Sequence, residues 1–332
     1  MKGSDYGPSA LSICATLAVL SGCGGFQPAI GRPGPTVQGH AVQTRTDGRE
    51  SWMFPGVSDE DLLYVAGSRR SNRVYVFTYP GGQHVGTLSG LANPDAVCVD
   101  ASQNVWISSD SGNPSEMIEY AHGKAKRRAT LPDNYGFPAA CSVDPKTGNL
   151  AVVNLFGTSG MIVYADAKGT PTAYSVANFE YVWGCAYDAS GNLFASGEVY
   201  GSGTHVARLP AGGSQFRDLR LSKSLEDTAS GLKWDGNYLD LGIGVEIYRL
   251  LISGSKATVK NTVTLLDADS EWGFNFFVDG ATVVSHVEPQ LGAVGLWNFP
   301  SGGYPTQIIP NAHDEKSASN ENGIAVSKAM DR

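Results

Sequence analysis

The sequence is poor in charge, and positive charge is scarcer than negative. Only 17% of its 332 residues are charged, and 24 Lys and Arg stand against 32 Asp and Glu, for a formal net charge of -8. A nucleic-acid ligand needs a basic protein face that neutralises its phosphates. The one basic run, residues 124–128, is typical of the solvated outer edge of a sheet. The composition therefore excludes nucleic acid as a partner.

Several motifs of catalysis and metal binding are also missing. No Gly-x-Ser-x-Gly elbow occurs, and no His has a sequence context that ties it to a nucleophile, which sets aside a serine or cysteine hydrolase. The five Cys have no spacing that fits a zinc knuckle. Helical periodicity of any length is absent as well. The 41 Gly and the low charge instead indicate a turn-rich, all-β chain.

A short strand pattern occurs six times at nearly equal spacing. Its five-residue copies end at Asp100, Asp144, Asp188, Asp235, Asp279 and Ser327, which are 44, 44, 47, 44 and 48 residues apart. A period of this length is typical of stacked or radially arranged units. Each period holds four short apolar runs separated by polar or Gly-rich turns, which predicts one antiparallel sheet per period. Because one sheet cannot bury both faces alone, the six are expected to form a six-bladed β-propeller.

The two ends of the repeat array complement each other. The first recognisable strand, residues 62–66, aligns with the second run of a period, so the N-terminal blade lacks a first strand. The spare copy, residues 323–327, comes last in the chain. We predict that it docks innermost in the N-terminal blade, which closes the ring and leaves no inner edge unpaired. The propeller is predicted to span residues 58–332.

The N-terminal segment is predicted to be an export signal and a tether. Residues 11–20 form an apolar run too short to cross a bilayer, and Leu20-Ser21-Gly22-Cys23 resembles a bacterial lipoprotein cleavage site. The resemblance implies a signal peptide over residues 1–22, a lipid on Cys23 that anchors the chain to a membrane, and a periplasmic or cell-surface location. An ordinary secretory signal is the alternative. Residues 23–57 are expected to be a flexible tether, of which residues 51–55 pack on the outside of the propeller.

Three cysteines fall on the predicted innermost strands. Cys141 and Cys185 occupy the same position in neighbouring copies, whereas Cys98 is one residue out of step. Small buried apolar side chains are one interpretation, and a Cys141 to Cys185 disulfide is the other. Both leave Cys98 unpaired.

The amino-acid sequence of the repeats resembles that of a known family. Residues 94–100 read PDAVCVD, residues 104–107 read NVWI and residues 110–113 read DSGN, which resembles the NHL repeat. Residues 63–65 (LYV) and 72–76 (NRVYV) are similar to the related YVTN repeat. The resemblance is clear in three blades and fades after Asn192. It implies the propeller architecture but no single activity, because such repeats serve binding scaffolds, lactonases, lyases and sensors.

One face of the ring is predicted to collect the functional side chains. The loops that enter first strands and leave second strands share this face, which we call the mouth face. They carry the candidate ligand-binding residues Asp110, Tyr181, Trp183, Glu198, Glu271 and Trp272. Aromatic planes beside carboxylates suit sugars, peptides or cationic ligands. Alternatively, Tyr181, Trp183 and Trp272 only plug the channel top.

Two sequence features raise catalytic alternatives. Asn322, followed by Gly323, resembles the Asn-Gly strand of the gluconolactonase and regucalcin-type family, which implies a divalent cation such as calcium with Asn322 as a ligand. Ser230 departs from this resemblance, since it stands where that family has Asp. On one strand, His286 and Glu288 would point to the same side and could share a ligand or a proton, with a loop-edge ion pair as the alternative.

The sequence as a whole favours a binding or scaffold module that uses no cofactor and performs no covalent chemistry. Its expected ligand is an envelope protein, a peptide or a glycan. A metal-dependent lactonase is the alternative.

Overall fold

The computed structural model describes residues 50–67, 71–112, 114–157, 160–176, 178–229, 231–269, 275–288, 292–312 and 323–330. The signal segment with Cys23, and all of the tether before residue 50, lie outside the described residues. Within these ranges the chain forms six sheets and two single-turn 3₁₀ helices, Val57–Asp59 and Ala165–Ala167. No helix there has the length and apolar character that a membrane crossing requires.

The first three sheets follow one another along the chain, and their paired strands are antiparallel. Blades two and three pair only strands that neighbour each other in sequence. Blade one contains Trp52–Met53 (β1), Leu62–Ala66 (β2), Arg73–Thr78 (β3) and His84–Ser89 (β4). Blade two contains Val97–Val99 (β5), Val105–Ser109 (β6), Ser115–Tyr120 (β7) and Arg127–Asp133 (β8). Blade three contains Phe137–Val143 (β9), Leu150–Leu155 (β10), Met161–Tyr164 (β11) and Thr172–Tyr174 (β12).

The other three sheets repeat this plan, and the final strand returns to the first blade. Blade four contains Tyr181–Tyr187 (β13), Leu193–Val199 (β14), Gly203–Leu209 (β15) and Arg217–Asp218 (β16). Blade five contains Arg220–Leu221 (β17), Leu232–Trp234 (β18), Leu239–Ile243 (β19), Glu246–Ser253 (β20) and Lys256–Thr264 (β21). Blade six contains Phe276–Asp279 (β22), Thr282–His286 (β23), Val294–Asn298 (β24) and Gln307–Ile309 (β25). The final strand is Ile324–Ser327 (β26).

The six blades form a ring of four-stranded antiparallel sheets, as predicted. β26 pairs antiparallel with β2, with Val326 opposite Leu63, so the end of the chain supplies the innermost strand of blade one. On the outer side of this blade, β1 pairs with β4, which places Trp52 on the outside of the propeller as expected. The two additions make blade one five strands wide, and β17 adds a short parallel strand to blade five.

Polar side chains in and directly after β26, the strand that closes the ring, contact three blades. The Ser327 hydroxyl lies 2.7 Å from the carbonyl oxygen of Gln103 in blade two. The Lys328 ammonium lies 2.6 Å from Asp279 in blade six and 3.2 Å from Asp61 before β2. The closing strand is therefore held by side-chain contacts as well as by its ladder.

The innermost strands of neighbouring blades are offset by one residue, counted along their five-residue copies. Ala186, third in its five-residue copy, packs in the same core cluster as Leu232, which is second in the next copy. Ala325 and Val97 repeat the relation between blades one and two. The third residue of one copy thus faces the second residue of the following copy.

This relation explains a disulfide between two cysteines that were not predicted to pair. Cys98 is bonded to Cys141, with the two Cα atoms 5.7 Å apart, and Cys185 is a buried free thiol. The expectation of an unpaired Cys98 is wrong, and so is a Cys141 to Cys185 bond. Cys98 is the third residue of its copy and Cys141 is the second residue of the next copy. This difference of one position is what brings the two sulfur atoms together. Cys141 and Cys185 occupy equivalent positions and do not face each other.

The same geometry predicts a second disulfide in the variant Ser142→Cys. Ser142 is third in its copy and Cys185 second in the next, so the two are expected to face each other, and both this pair and the native pair are 43 residues apart. Closing a loop of this length is expected to raise the free energy of unfolding by about 2–4 kcal/mol. Mass spectrometry of unreduced peptides and thermal unfolding with and without reductant measure the bond and its effect.

Ser142→Ala is the matched control for this variant. The Ser142 hydroxyl accepts a hydrogen bond from the Tyr187 backbone N–H at 3.0 Å, and both substitutions change this acceptor. The control should lose a little stability, and its loss should not depend on reductant. Two free thiols remaining in oxidised Ser142→Cys would contradict the facing relation.

Candidate functional site

Three aromatic side chains form a row on the mouth face between blades three and four. The ring centroids of Phe156 and Tyr181 are 5.9 Å apart in an edge-to-face contact. Those of Tyr181 and Trp183 are also 5.9 Å apart, with the planes tilted by 38°. We call Phe156, Tyr181 and Trp183 the aromatic row. Two of the predicted ligand-binding residues are thus brought into contact.

Local backbone geometry places each ring. In the ladder between β13 and β14 the register shifts between Val182 and Gly184, which leaves Trp183 as the extra residue of a β-bulge. Bulges bend a strand and redirect a side chain. Phe156 directly follows β10 and has a positive φ of 55°, a left-handed conformation that is uncommon for a residue other than glycine. Strain of this kind tends to collect at functional sites.

A carboxylate fixes one end of the row. The indole Nε1 of Trp183 donates a hydrogen bond to Oε1 of Glu198 at 3.1 Å. Glu198 lies on β14 directly opposite Tyr181, so the strand pairing places the acid beside the rings. Trp183 and Glu198, which were predicted as separate candidates, therefore form one unit.

A cavity of about 330 Å³ lies beside the row. Its walls include Asn154, Phe156, Phe179, Glu180 and Tyr181. Glu180 is exposed, whereas Asn154 is buried. The cavity thus offers aromatic surfaces, an amide and an acid within one depression at the junction of two blades.

Exposed aromatic side chains mark this part of the mouth face further. Phe156 is 77% exposed, and Tyr200, in the corresponding loop of blade four, is 89% exposed. Phe156 is absent from the predicted set, because an isolated Phe after an apolar run reads as the end of a buried strand. The signal that was available is Gly157, which directly follows it and indicates a turn at that point. Large side chains this exposed are candidates for ligand contact.

Asp110 has a structural role in its own loop. Its Oδ1 accepts hydrogen bonds from the Ser115 hydroxyl at 2.6 Å and from the Gly112 N–H at 3.0 Å. Nearby Asp133 is buried, and burial is the main cause that raises its pKa, while hydrogen bonds from the Tyr135 backbone and from Asn154 lower it. The charge of Asp110 adds to the rise. We find no contact that joins Asp110 to the aromatic row among the described residues.

The other predicted site residues divide into two groups. Glu271, Trp272 and Asn322 lie outside the described residues, so a cation ligand at Asn322 and a lactonase activity stay predictions. β23 ends at His286, which is 2% exposed, and Glu288 lies beyond the strand and is exposed. The two side chains thus differ in exposure, and the strand that was expected to align them ends before Glu288. Within the described ranges no group of three or more His, Cys, Asp or Glu side chains is arranged to hold a metal ion.

The comparisons with known proteins support the architecture. No family model matches the sequence, and no curated protein does. The fold is similar to a chain of a nidogen–laminin complex, with a TM-score of 0.63 and 11% identity over 81% of this chain and 99% of that one. It is also similar to the β-propeller domain of Cps50 (Swd1) from Myceliophteria thermophila, with a TM-score of 0.52 and 11% identity over 76% and 87% of the two chains.

A third similar structure is that of a proposed 6-phosphogluconolactonase from Bacteroides uniformis. The TM-score is 0.50 and the identity 14%, over 74% of this chain and 81% of that one. At such identities the likeness concerns the fold alone. The blades and these similarities define a six-bladed β-propeller, a fold that is consistent with a binding or scaffold module.

Proposed function

We propose that this propeller is a non-covalent binding module and that the aromatic row with Glu198 is its ligand surface. The observation that carries the proposal is the row itself, in which two neighbouring rings lie beside a strongly exposed third and one ring is fixed by a carboxylate. Rigid aromatic planes provide a large contact area at little entropic cost. A fixed acid beside them gives the surface polarity and direction.

The chemistry of the surface suits ligands of the cell envelope. The rings can stack on the apolar face of a sugar, and Glu198 and Glu180 can accept hydrogen bonds from its hydroxyls. A peptide or an envelope protein with a basic or aromatic side chain would meet the same groups through cation–π or edge contacts. Both ligand types stay within the proposal, which assigns no covalent step to the site.

We further infer that the blades are of the NHL and YVTN type and that the chain is an extracytoplasmic lipoprotein, periplasmic or at the cell surface, anchored to a membrane through Cys23. The support for export is the Leu20-Ser21-Gly22-Cys23 site together with the Cys98 to Cys141 disulfide. Disulfides persist in oxidising compartments such as the periplasm and the cell surface. A membrane anchor would hold the mouth face within reach of envelope ligands.

Substitution of the aromatic row is expected to abolish most of the ligand affinity. An array of bacterial envelope glycans and peptides, probed with the purified full chain, identifies the ligand. Tyr181→Ala and Trp183→Ala are then each expected to weaken its binding by about tenfold or more, because truncated aromatic anchors commonly cost over 1 kcal/mol. Titration calorimetry measures the change.

Tyr304→Ala is the matched control for the aromatic variants. Tyr304 is 65% exposed and lies between β24 and β25, in a turn on the opposite face of the ring. Its loss should leave ligand binding unchanged. Binding that survives both row substitutions, or that Tyr304→Ala weakens equally, would contradict the proposed surface.

A further inference from the structure

A second cavity occupies the central channel at the other end of the ring. It measures about 310 Å³ and is lined by the inner strands of the blades. Gln103 and Lys328, which lie in the first turn of blade two and directly after β26, also contribute to it. The turns between first and second strands lie on the face opposite the mouth, which we call the turn face. The cavity is therefore separate from the aromatic row.

Most charged groups of this cavity have partners in the protein. Asp100 accepts hydrogen bonds from the backbone and side-chain amides of Asn104, each at 2.8 Å. Lys328 lies between two carboxylates, Asp279 at 2.6 Å and Asp61 at 3.2 Å. These groups are compensated without a ligand.

Lys233 is different. It is third in its inner-strand copy, is half-buried and lines the cavity, and it forms no hydrogen bond or ion pair with any residue that the structure describes. Burial lowers the pKa of its ammonium group. Its neighbour in the channel is the Cys185 thiol, and burial raises the pKa of that thiol to about 12, so the thiol is neutral at pH 7. The ammonium therefore lacks a counter-charge in the described part of the channel.

Trp234 follows Lys233 on β18 and also lines the cavity, but its indole N–H does not face it. Successive residues of a strand point to opposite sides of the sheet, and the indole Nε1 is buried without a hydrogen-bond partner among the described residues. Lys233 is therefore the uncompensated group that a ligand in the channel would meet. A ligand that carries negative charge would compensate it.

We propose that the channel cavity binds a small organic monocarboxylate, with Lys233 as its counter-charge. A single uncompensated cation matches a single negative charge, whereas a doubly charged phosphate would bring a second buried charge without a partner. Val99, Val143 and Phe277 give the cavity apolar walls that suit the hydrocarbon part of the ligand. The volume is at the lower end of ligand pockets, which indicates a small molecule.

Titration calorimetry of the full chain with sodium benzoate tests this site. Benzoate is expected to bind saturably, and inorganic phosphate is expected to bind at least about tenfold more weakly. Lys233→Met should weaken benzoate binding by at least about tenfold, because the charge-assisted contact with the carboxylate is lost. The affinity should also fall as the pH rises and the amine loses its proton.

Lys146→Met is the matched control. Lys146 is exposed in the turn between the first two strands of blade three, so its loss removes the same charge from the same face. Benzoate affinity should not change in this variant or in Tyr181→Ala, which keeps this test separate from that of the aromatic row. Thermal unfolding verifies the fold, and Lys233→Gln replaces Lys233→Met if the latter unfolds.

Three results would each overturn the proposal. The first is the absence of benzoate binding at millimolar concentrations. The second is unchanged affinity in a folded Lys233 variant. The third is equal weakening by Lys146→Met, or equal binding of phosphate, since either would show attraction to general positive charge rather than to this cavity.

Discussion

Removal of every residue from 323 onward is expected to abolish cooperative folding of the propeller. The deletion takes away β26, in which Ile324 and Val326 are buried, and it exposes the fully buried strand β2 at a sheet edge. Two such side chains contribute about 3–6 kcal/mol through burial alone. This is comparable with the whole stability of many domains, about 5–15 kcal/mol. Circular dichroism on heating measures the loss.

A chain that ends at Lys328 is the control for this deletion. It keeps β26 and the contacts of Lys328 with Asp61 and Asp279. Among residues 329 and 330, which the structure describes, it loses the hydrogen bond from the Ala329 N–H to Asp61. Its unfolding temperature should stay close to that of the full chain. Addition of a synthetic peptide of residues 323–332 should partly restore the shorter chain. A chain ending at residue 322 that unfolds at the temperature of the full chain would show that the ring does not depend on this strand.

The second large effect is expected from Arg249→Met in blade five. The Arg249 guanidinium forms an ion pair with Asp235 and lies 3.3 Å from Asp240, which is fully buried. Its charge also lies over the rings of Tyr238 at 4.4 Å and Phe299 of blade six at 4.8 Å. Loss of the cation leaves buried carboxylates without compensation, which typically costs about 3–5 kcal/mol. Chemical denaturation gives the change in the free energy of unfolding.

Asp240→Asn distinguishes charge from packing in this cluster. Burial, together with the charge of Asp235, raises the pKa of Asp240 from 3.8 to about 7, although Arg249 lowers it. The native state therefore binds more protons than the unfolded state between these values, and the free energy of unfolding falls as the pH rises through this window. Asp240→Asn should remove that slope, and Arg249→Met combined with Asp240→Asn should lose less stability than Arg249→Met alone. Equal losses in the two Arg249 variants would assign the effect to packing.

The ring of blades could be predicted because the same strand pattern is repeated along the chain. Six copies ending in Asp or Ser give the number of blades, and each copy constrains the others. The position of β26 followed from simple counting, since the first period lacks the strand that the last one supplies. The short additions β1 and β17 are less visible, because two-residue strands have no periodicity of their own.

Side-chain contacts between neighbouring blades could not be predicted from the repeated pattern. An alignment of copies shows which residues are equivalent, whereas side chains that touch across a blade boundary are not equivalent. This is why Cys141 and Cys185 look like a pair in the sequence, and why Cys98 forms the bond instead. The relative rotation of neighbouring strands, which no single strand encodes, decides the partner.

The sequence predicts on which face of the ring the candidate site lies, but it does not predict all of the residues that form it. Strand order places Tyr181, Trp183 and Glu198 on the mouth face, and the structure brings these three together. Residue type and position do not separate Asp110 from them, since its hydrogen bonds to its own loop depend on the folded turn. Phe156 depends on a left-handed backbone conformation, which residue type alone does not predict.

The staggered contact between inner strands also gives the ring a sense of rotation. At the junctions of blades one and two, two and three, and four and five, a third-position side chain of one blade meets a second-position side chain of the next, as the members of a head-to-tail circle do. A duplicated blade would fit into such a circle in one orientation only, and a circular permutant that starts at another blade would preserve every contact. Duplication or circular permutation of whole blades therefore preserves the contacts between the innermost strands, whereas reversal of a single blade does not.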